Sequence, residues 1–327
     1  MDLTQILLLP LSQLFAATTA AYVLCALGIA LHFGYTGLLN FGQAAFAAVG
    51  GYAFAIADKT LGLGIFGSLL FAIGCAIVYA FILGIPTLRL RADYLAIVTI
   101  AAAETFRFVM VSGQLGPWSG GSEGIDGWGK DFYDLNPIPS AVYNVFGIPL
   151  TERQLWADIV GWVVVLICAV LMVVLTRSPW GRALKGIRED EDAVRSLGKN
   201  VFGYKMQSLI LGGVFGALGG VVFSLNSQTV QPTVFGTNFT FMSWTLLLLG
   251  GAATVLGPIV GGIVFFVIFL FLQNLLMGLQ SSGILPFISG EQAAQIPFVL
   301  MGITLMLLVI FRPQGILGDK KELNFNV

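Results

Sequence analysis

Long apolar runs separated by short polar segments make up most of this chain. A transmembrane helix needs about 20 mainly apolar residues, and nine runs approach that length. In chain order they are 11–31, 41–57, 65–88, 93–111, 155–176, 206–225, 239–256, 258–277 and 295–311. Only Gly257 separates the seventh run from the eighth, which begins at Pro258. The pattern predicts an all-α integral membrane protein, a polytopic bundle of about nine transmembrane helices, some of them broken or re-entrant.

The charged residues predict how these helices are oriented. Basic residues concentrate in the segment 177–205, namely Arg177, Arg182, Lys185, Arg188, Arg195, Lys199 and Lys205. Cytoplasmic loops carry the excess of Lys and Arg in membrane proteins, so this segment is predicted to be cytoplasmic. Counting runs from it places the loop 112–153, rich in glycine, serine, proline and acids, outside the cell. The N-terminus is then outside and the C-terminus cytoplasmic.

Composition supports the membrane assignment and excludes other classes. The chain is 57% hydrophobic and only 10% charged, whereas soluble domains carry about 25% charged residues. Its net charge of -1 gives no basic footprint for nucleic acid. A single histidine and three scattered cysteines offer no metal-ligand spacing. The GLGIFG at 62–67 fits the GxGxxG pattern of a dinucleotide site but lacks a strand–helix context, and no GxxxxGK[ST] loop for ATP occurs. We therefore expect no catalytic residues, no metal and no cofactor on this chain.

A short amphipathic helix is predicted inside the charged segment. Ser178 before Pro179 is typical of a helix N-cap followed by proline at the first helical position, and Gly198 is a predicted helix stop. An apolar stripe at helical spacing follows the cap: Trp180, Ala183, Leu184 and Ile187. The segment could be a solvated loop whose basic residues only fix topology, or a docking element for a cytoplasmic partner. The stripe favours docking.

Amide side chains stand out in the glycine-rich run 34–51. Asn40 and Gln43, on either side of Gly42, lie in an otherwise apolar stretch. Transporters build substrate sites at interrupted helices, and polar residues inside the membrane are costly and tend to be functional. We therefore predict that these three residues lie on a substrate pathway, with a matching interruption in GGAATVLGPIVGG at 250–262. For most glycines we expect close helix packing instead, as in the four-residue repeat Gly212, Gly216 and Gly220.

A pair of opposite charges interrupts the fourth run. Glu104 and Arg107 are three residues apart, a spacing that lets them pair on one helix face. The pair could lock the bundle, or it could form a gate or polar wall of the pathway. The structural role is the simpler expectation, because an unpaired charge at that depth is expensive.

Five blocks in this order resemble permease subunits of branched-chain amino acid ABC transporters. They are GYTGLLNFGQAAFAAVGGYAFA (34–55), DYLAIVTIAAAETFRFV (93–109), SPWGRALKGIREDEDAVRSLG (178–198), LLLLGGAATVLGPIVGG (246–262) and RPQGILG (312–318). The outer loop departs from that family, which usually reads close to TGGPNGI where this chain has Ser122 and Glu123 in place of Pro-Asn.

The resemblance implies a single transmembrane permease domain over 1–327 in the plasma membrane. It implies that 177–205 is a coupling loop that docks an ATPase subunit through Trp180, Gly181, Arg182, Leu184, Ile187, Arg188, Glu189 and Gly198. The implied partners are two ATP-binding-cassette ATPase subunits that hydrolyse the ATP, a second homologous permease and an extracytoplasmic substrate-binding protein. The implied cargo is a branched-chain amino acid; urea or short amides, or a secondary transporter or channel, are the alternatives.

Overall fold

Helices dominate the computed structural model, which describes residues 9–145, 148–282, 289–312 and 314–318. In chain order the helices are α1 (Ala17–Ile29) with a π-helical continuation (Ala30–Tyr35), α2 (Gln43–Lys59), α3 (Gly64–Thr87), α4 (Ala92–Val111), α5 (Gly116–Ser119), α6 (Lys130–Asp134), α7 (Glu152–Arg177), α8 (Pro179–Glu189), α9 (Glu191–Ser196), α10 (Val201–Ser227), α11 (Thr237–Gly250), α12 (Leu256–Ser281) and α13 (Gly290–Phe311). The strands are β1 (Ile125–Asp126), β2 (Val142–Val145), β3 (Ile148–Thr151) and β4 (Thr229–Val230).

Each of the nine predicted runs contains a helix, which confirms the all-α membrane fold. Six segments in the described part of the chain are long and apolar enough to cross a bilayer: 17–35, 64–87, 93–111, 152–177, 201–227 and 256–281. Of the other three runs, α2 has 17 residues and α11 has 14. At 1.5 Å per residue, α11 is only ~21 Å long, shorter than the ~30 Å hydrocarbon core.

The two largest differences between predicted and observed span boundaries are six residues each, and each has a local reason. The first span begins at Ala17 rather than at 11, because the Asp158 carboxylate accepts a hydrogen bond from the Ala17 amide at 2.7 Å and caps the helix start. The seventh span ends at Gly250 rather than at 256, because Gly251 adopts a φ of +120° that no helix contains. The prediction of broken helices is confirmed at both α1–α2 and α11–α12.

The helix α1 and the helix α10 form the centre of the bundle. Their spans are 89% and 72% buried, whereas the other four candidate spans are between 11% and 33% buried. Glycines let α10 approach its neighbours closely: a Cβ on Gly220 would lie 1.8 Å from the Ala47 carbonyl oxygen, and one on Gly216 would lie 2.4 Å from the Gln43 amide nitrogen. The packing prediction for Gly212, Gly216 and Gly220 is therefore confirmed.

The bundle has two different ends. At one end, β1 pairs with β4 in antiparallel register, and Lys59 at the end of α2 contacts Asp126. We call this the glycine-rich end, because it holds the segment 112–145, with α5 and α6, and the antiparallel pair of β2 and β3. The opposite, charged end holds α8 and α9, which lie between the ends of α7 and α10. Any coupling between loop and transport path must therefore start at the charged end.

Candidate transport site

The first helix of the bundle is interrupted at residues 36–42, which we call the first break. The π-helical segment ends there, with the Leu38 amide donating to the His32 carbonyl at 2.8 Å. Gly37 adopts a φ of +76°, a conformation that costs glycine little and other residues much more. The chain becomes helical again at Gln43. π-Helical turns are rare and frequently mark functional positions.

Asn40 lies at the centre of a buried polar cluster in the first break. Its Nδ2 donates to His32 Nδ1 and to Gln43 Oε1, both at 3.2 Å, and its Oδ1 accepts from the Gly42 amide at 2.8 Å. Asn40, Gln43 and His32 are all 0% exposed. The structure thus brings the predicted pathway residues Asn40, Gly42 and Gln43 together, but their polar groups bond to one another in this conformation. Their part in a pathway stays a prediction.

The remaining polar atoms of this cluster bind the neighbouring backbone of α10. His32 Nε2 lies 3.2 Å from the Leu209 carbonyl oxygen, which fits a neutral ring with its hydrogen on Nε2 and Nδ1 free to accept from Asn40. Gln43 Nε2 donates to the Gly212 carbonyl at 3.0 Å. A Cβ on Gly212 would lie 2.3 Å from His32 Nε2, so glycine is required for the ring to fit. His32 was not a predicted site residue, although it is the sole histidine and precedes Asn40 by eight positions.

Side chains from two other helices satisfy the backbone that the first break leaves without helical partners. Thr99 of α4 accepts from the Phe41 amide at 3.0 Å, and Thr240 of α11 accepts from the Ala44 amide at 3.0 Å. Trp244 of α11 donates to the Asn40 carbonyl at 3.1 Å. Inside a membrane every unpaired backbone group is expensive. These contacts therefore stabilise the unwound segment, and nothing in the sequence pattern indicated Thr99, Thr240 or Trp244 as partners.

A second break, residues 251–255, separates α11 from α12. The chain reverses there so closely that a Cβ on Gly250 would lie 1.7 Å from the Gly257 carbonyl oxygen. The tail segment 314–318 closes the end of α11: the amides of Ile316 and Leu317 donate to the carbonyls of Leu249 and Gly250, each at 2.9 Å. The sequence identified RPQGILG as a family block but not as a helix cap.

The segment just before the first break touches the second break. A Cβ on Gly34, in the π-helical segment just before the first break, would lie 1.8 Å from the Ala252 carbonyl oxygen in the second. Backbone therefore packs directly on backbone at this point, so a displacement of either segment must displace the other.

The apolar stripe of the charged loop is turned inward. Ser178 caps α8, accepting from the Trp180 and Gly181 amides at 3.2 and 3.5 Å as predicted. Leu184 is 0% exposed and Ile187 is buried within the chain's own core. Trp180 packs against the same core and donates to Gln207 Oε1 at 2.7 Å. Leu184 and Ile187 are therefore covered by the chain's own helices rather than open to a partner, because apolar side chains at a membrane surface are buried most cheaply against the nearest apolar helices. Docking of an ATPase by this loop stays a prediction.

The glycines of this loop serve its turns. A Cβ on Gly181 would lie 2.2 Å from the Thr176 carbonyl oxygen, so α8 can fold back tightly on the end of α7. Gly198 adopts a φ of +75° just after α9, and the predicted helix stop is confirmed. The residues of the predicted docking set that are exposed are Arg182, Glu189 and Gly198.

Arg188 joins α8 to the first break. Its Nη1 donates to the Gly34 carbonyl, and its aliphatic stem lies against Gly37, where a Cβ would be 3.2 Å from Arg188 Cγ. Glu189 Oε1 accepts from Arg188 Nε at 3.0 Å and from Nη2 at 2.6 Å, which orients the guanidinium. Only 13% of the Arg188 side chain is exposed. A cation at the carboxyl end of a helix is favourable, because the last carbonyls lack partners there.

The predicted ion pair of α4 is confirmed. Arg107 Nε and Nη2 lie 2.8 and 2.7 Å from Glu104 Oε2. The other carboxylate oxygen, Oε1, accepts from the Thr237 hydroxyl at the start of α11, at 2.7 Å. The pair thus connects α4 to α11, the helix that also supports the first break. Its role, as a lock of the bundle or as a wall of the pathway, stays a prediction.

Comparison with known proteins identifies a common family for these features. The family described as "Branched-chain amino acid transport system / permease component" matches residues 13–310. The high-affinity branched-chain amino acid transport system permease protein LivM of Escherichia coli K12 is 29% identical over 312 residues, covering 92% of this chain and 69% of that protein. The probable branched-chain amino acid permease LivM of Methanocaldococcus jannaschii is 24% identical over 340 residues, covering 91% of each.

A more distant relative carries a different name. The nucleoside ABC transporter permease NupC of Lactococcus lactis is 23% identical over 215 residues, covering 62% of this chain and 64% of that protein. No solved structure matches the chain. Because the family match extends over nearly the whole bundle, including both breaks and the charged loop, this multi-pass membrane protein belongs to the branched-chain amino acid transport permease family.

Proposed function

We propose that this chain is one of two permease subunits of an ABC importer that carries branched-chain amino acids inward. An ATPase subunit binds at the charged end of each permease. This subunit hydrolyses the ATP, because the sequence of the permease contains no GxxxxGK[ST] loop for ATP. A substrate-binding protein delivers the amino acid at the glycine-rich end. The family match and the names of the LivM relatives support the cargo.

The orientation follows from the distribution of charge. The seven basic residues of 177–205 lie at the charged end, which is therefore cytoplasmic by the positive-inside rule. The glycine-rich end then lies outside, where the paired strands β1 and β4 link the outer loop to the start of the α11 region. This arrangement puts the N-terminus outside and the C-terminus inside, and the chain in the plasma membrane.

The contact of Arg188 with Gly34 is the observation that carries the proposal. An importer must convert motion of its ATPases into opening and closing of the transport path, and the buried Arg188 guanidinium attaches α8 to the backbone beside the first break. From Gly34 the contact continues to Ala252 in the second break. A displacement of α8 thus reaches both breaks through two successive contacts with the backbone.

The face of α8 and α9 that is turned away from the bundle is the ATPase-docking surface. Its exposed residues include Arg182, Glu189 and Leu197, the last of which is 79% exposed. Arg195 pairs with Glu191 at 2.7 Å and with Asp192 at 2.8 Å, which holds α9 in shape. The inward stripe anchors the loop, and the outward face meets the partner.

The experiment compares Arg188→Met with Arg182→Met in a complex purified with its partners. Both changes remove one positive charge from α8, but only Arg188 contacts the first break. We expect Arg188→Met to lower leucine uptake into proteoliposomes by about tenfold or more, since a hydrogen bond to a charged group contributes about 1.5–3 kcal/mol. ATPase subunits should co-purify at the normal yield.

The control separates transmission from docking. Arg182→Met should weaken co-purification of the ATPase subunits and leave uptake per bound ATPase near normal. If Arg188→Met transports leucine at the normal rate, the contact with Gly34 does not transmit motion. If the unmodified chain recovers no ATPase subunit from membranes in a mild detergent, the importer itself is ruled out.

A further inference from the structure

The Glu104–Arg107 pair lies at an unusual place for two charges. It is on α4, the candidate span with the smallest buried share, 11%. The side chains of Glu104 and Arg107 are themselves 27% and 23% exposed. At 1.5 Å per residue, Glu104 lies ~10 Å from the α4 end at Val111, inside the hydrocarbon thickness. Charges exposed at this depth face a polar cavity or a partner rather than lipid.

The surroundings of the pair continue toward the first break. Thr237 contacts Glu104 at the start of α11, and Phe241 is one turn further along the same helix face. The Phe241 ring is 5.8 Å from that of Phe41, which lies in the first break, and Phe241 is 48% exposed. The structure therefore shows an ion pair followed by an exposed aromatic surface, both on the path from the glycine-rich end to the break.

We infer that Glu104 and Arg107 bind the two charged ends of an amino acid on its way through the permease, an inference that rests on the proposed function. The α-carboxylate takes the place of Glu104 at the Arg107 guanidinium, and the α-ammonium takes the place of Arg107 at the Glu104 carboxylate. The aliphatic side chain of the cargo then lies against Phe41 and Phe241.

Charge balance explains why such a site suits this cargo. The empty pair is neutral, a zwitterion is neutral, and the exchange leaves every charge with a partner of opposite sign. Burying an unpaired charge is strongly unfavourable, so a substrate with a single charge would leave either Glu104 or Arg107 without one. The pair thus admits a zwitterion to an apolar path without adding net charge to it.

The test uses the full complex of permeases, ATPases and binding protein in proteoliposomes, with leucine as the cargo. Four variants are compared: Glu104→Gln, Arg107→Gln, Arg107→Lys and the double exchange Glu104→Arg with Arg107→Glu. Thr105→Ala is the matched control, because among the described residues its hydroxyl donates to the Ala101 carbonyl of its own helix and to no other helix. Leucine uptake, ATP hydrolysis stimulated by the binding protein, and thermal stability are measured for each variant.

We expect Glu104→Gln and Arg107→Gln to lower leucine uptake per ATP hydrolysed about tenfold or more. Arg107→Lys keeps the charge and should retain most of the uptake, and Thr105→Ala should transport normally. The double exchange should regain thermal stability because the pair is restored, yet uptake should stay low, since the charges meet the wrong ends of a cargo whose side chain is fixed by the aromatic rings.

Recovery of uptake by the double exchange would overturn the inference and make the pair a lock between α4 and α11. Normal uptake by both glutamine variants would overturn it as well. A wild-type complex that hydrolyses ATP without taking up leucine would instead overturn the proposed function, whatever the variants do.

Discussion

The two breaks of this permease are held in different ways. The first is held by side chains: Asn40 and Gln43 bond to each other and to their surroundings, and every one of the partners is buried. The second is held by backbone: Gly250 and Gly257 touch, and the tail amides of Ile316 and Leu317 cap α11. A side-chain lock can be reset by exchanging hydrogen-bond partners, whereas a backbone lock opens only if whole segments separate.

From this difference we expect the first break to be the part that moves. Its hydrogen bonds are specific but individually modest, about 1 kcal/mol net each, and Arg188 reaches it from α8. We expect the second break and its tail to keep their positions when the first break moves. Hydrogen exchange at 36–42 and at 251–255 can follow the two breaks separately, because exchange reports local opening.

The largest effect is expected for Asn40→Leu, which removes the centre of the first break. The Gly42 amide, His32 Nδ1 and Gln43 Oε1 each lose a partner. With about 1–3 kcal/mol for each buried group left unpaired, the loss of stability should be on the order of 5 kcal/mol. Thermal unfolding should show it, and exchange should rise at 36–42 before it rises at 251–255.

Asn144→Leu is the control, because Asn144 is exposed in β2, and its effect should stay within about 0.5 kcal/mol. Equal stability of the Asn40 and Asn144 variants would show that the side-chain lock contributes nothing.

A smaller effect is expected where the two breaks meet. In Gly34→Ala the new Cβ would lie 1.8 Å from the Ala252 carbonyl oxygen, so the backbones must move apart. The cost should be near the upper end of the ~1–3 kcal/mol typical of overpacking, and exchange should rise at both breaks together. Gly74→Ala in α3 is the control, since a Cβ there meets nothing within 4 Å. A rise confined to 36–42 would mean that the breaks are not coupled through Gly34.

The sequence predicted the side-chain features of this molecule better than its backbone features. Asn40, Gln43, Glu104 and Arg107 were found because polar residues in apolar runs have few harmless explanations. The side chains that bond to the backbone at the first break, Thr99, Thr240 and Trp244, were not predicted, because threonine and tryptophan are ordinary in apolar runs. The positions of the long helices followed from the lengths of the apolar runs, but the early end of α11 depends on one glycine conformation.

The charged loop shows where pattern alone misleads. The stripe of Trp180, Leu184 and Ile187 predicted an amphipathic helix correctly, since α8 spans Pro179–Glu189. The pattern could not tell which neighbour covers that stripe, because a partner protein and the chain's own core demand the same residues. Only the fold, with Leu184 fully buried, assigns it to the core.

The smallest effect is expected in the tail that closes the second break. Gly315 has a φ of +73°, and a Cβ there would lie 2.6 Å from the Leu248 carbonyl oxygen. Gly315→Ala should cost about 1–2 kcal/mol for the strained conformation and raise exchange at 251–255 only. Gly302→Ala in α13, where a Cβ meets nothing within 4 Å, should change neither the stability nor the exchange at 251–255. If exchange instead rises first at 36–42, the tail stabilises the first break rather than the second. The second break, held by backbone contacts, would then be the part that moves, and the first break, held by side chains, the part that stays in place.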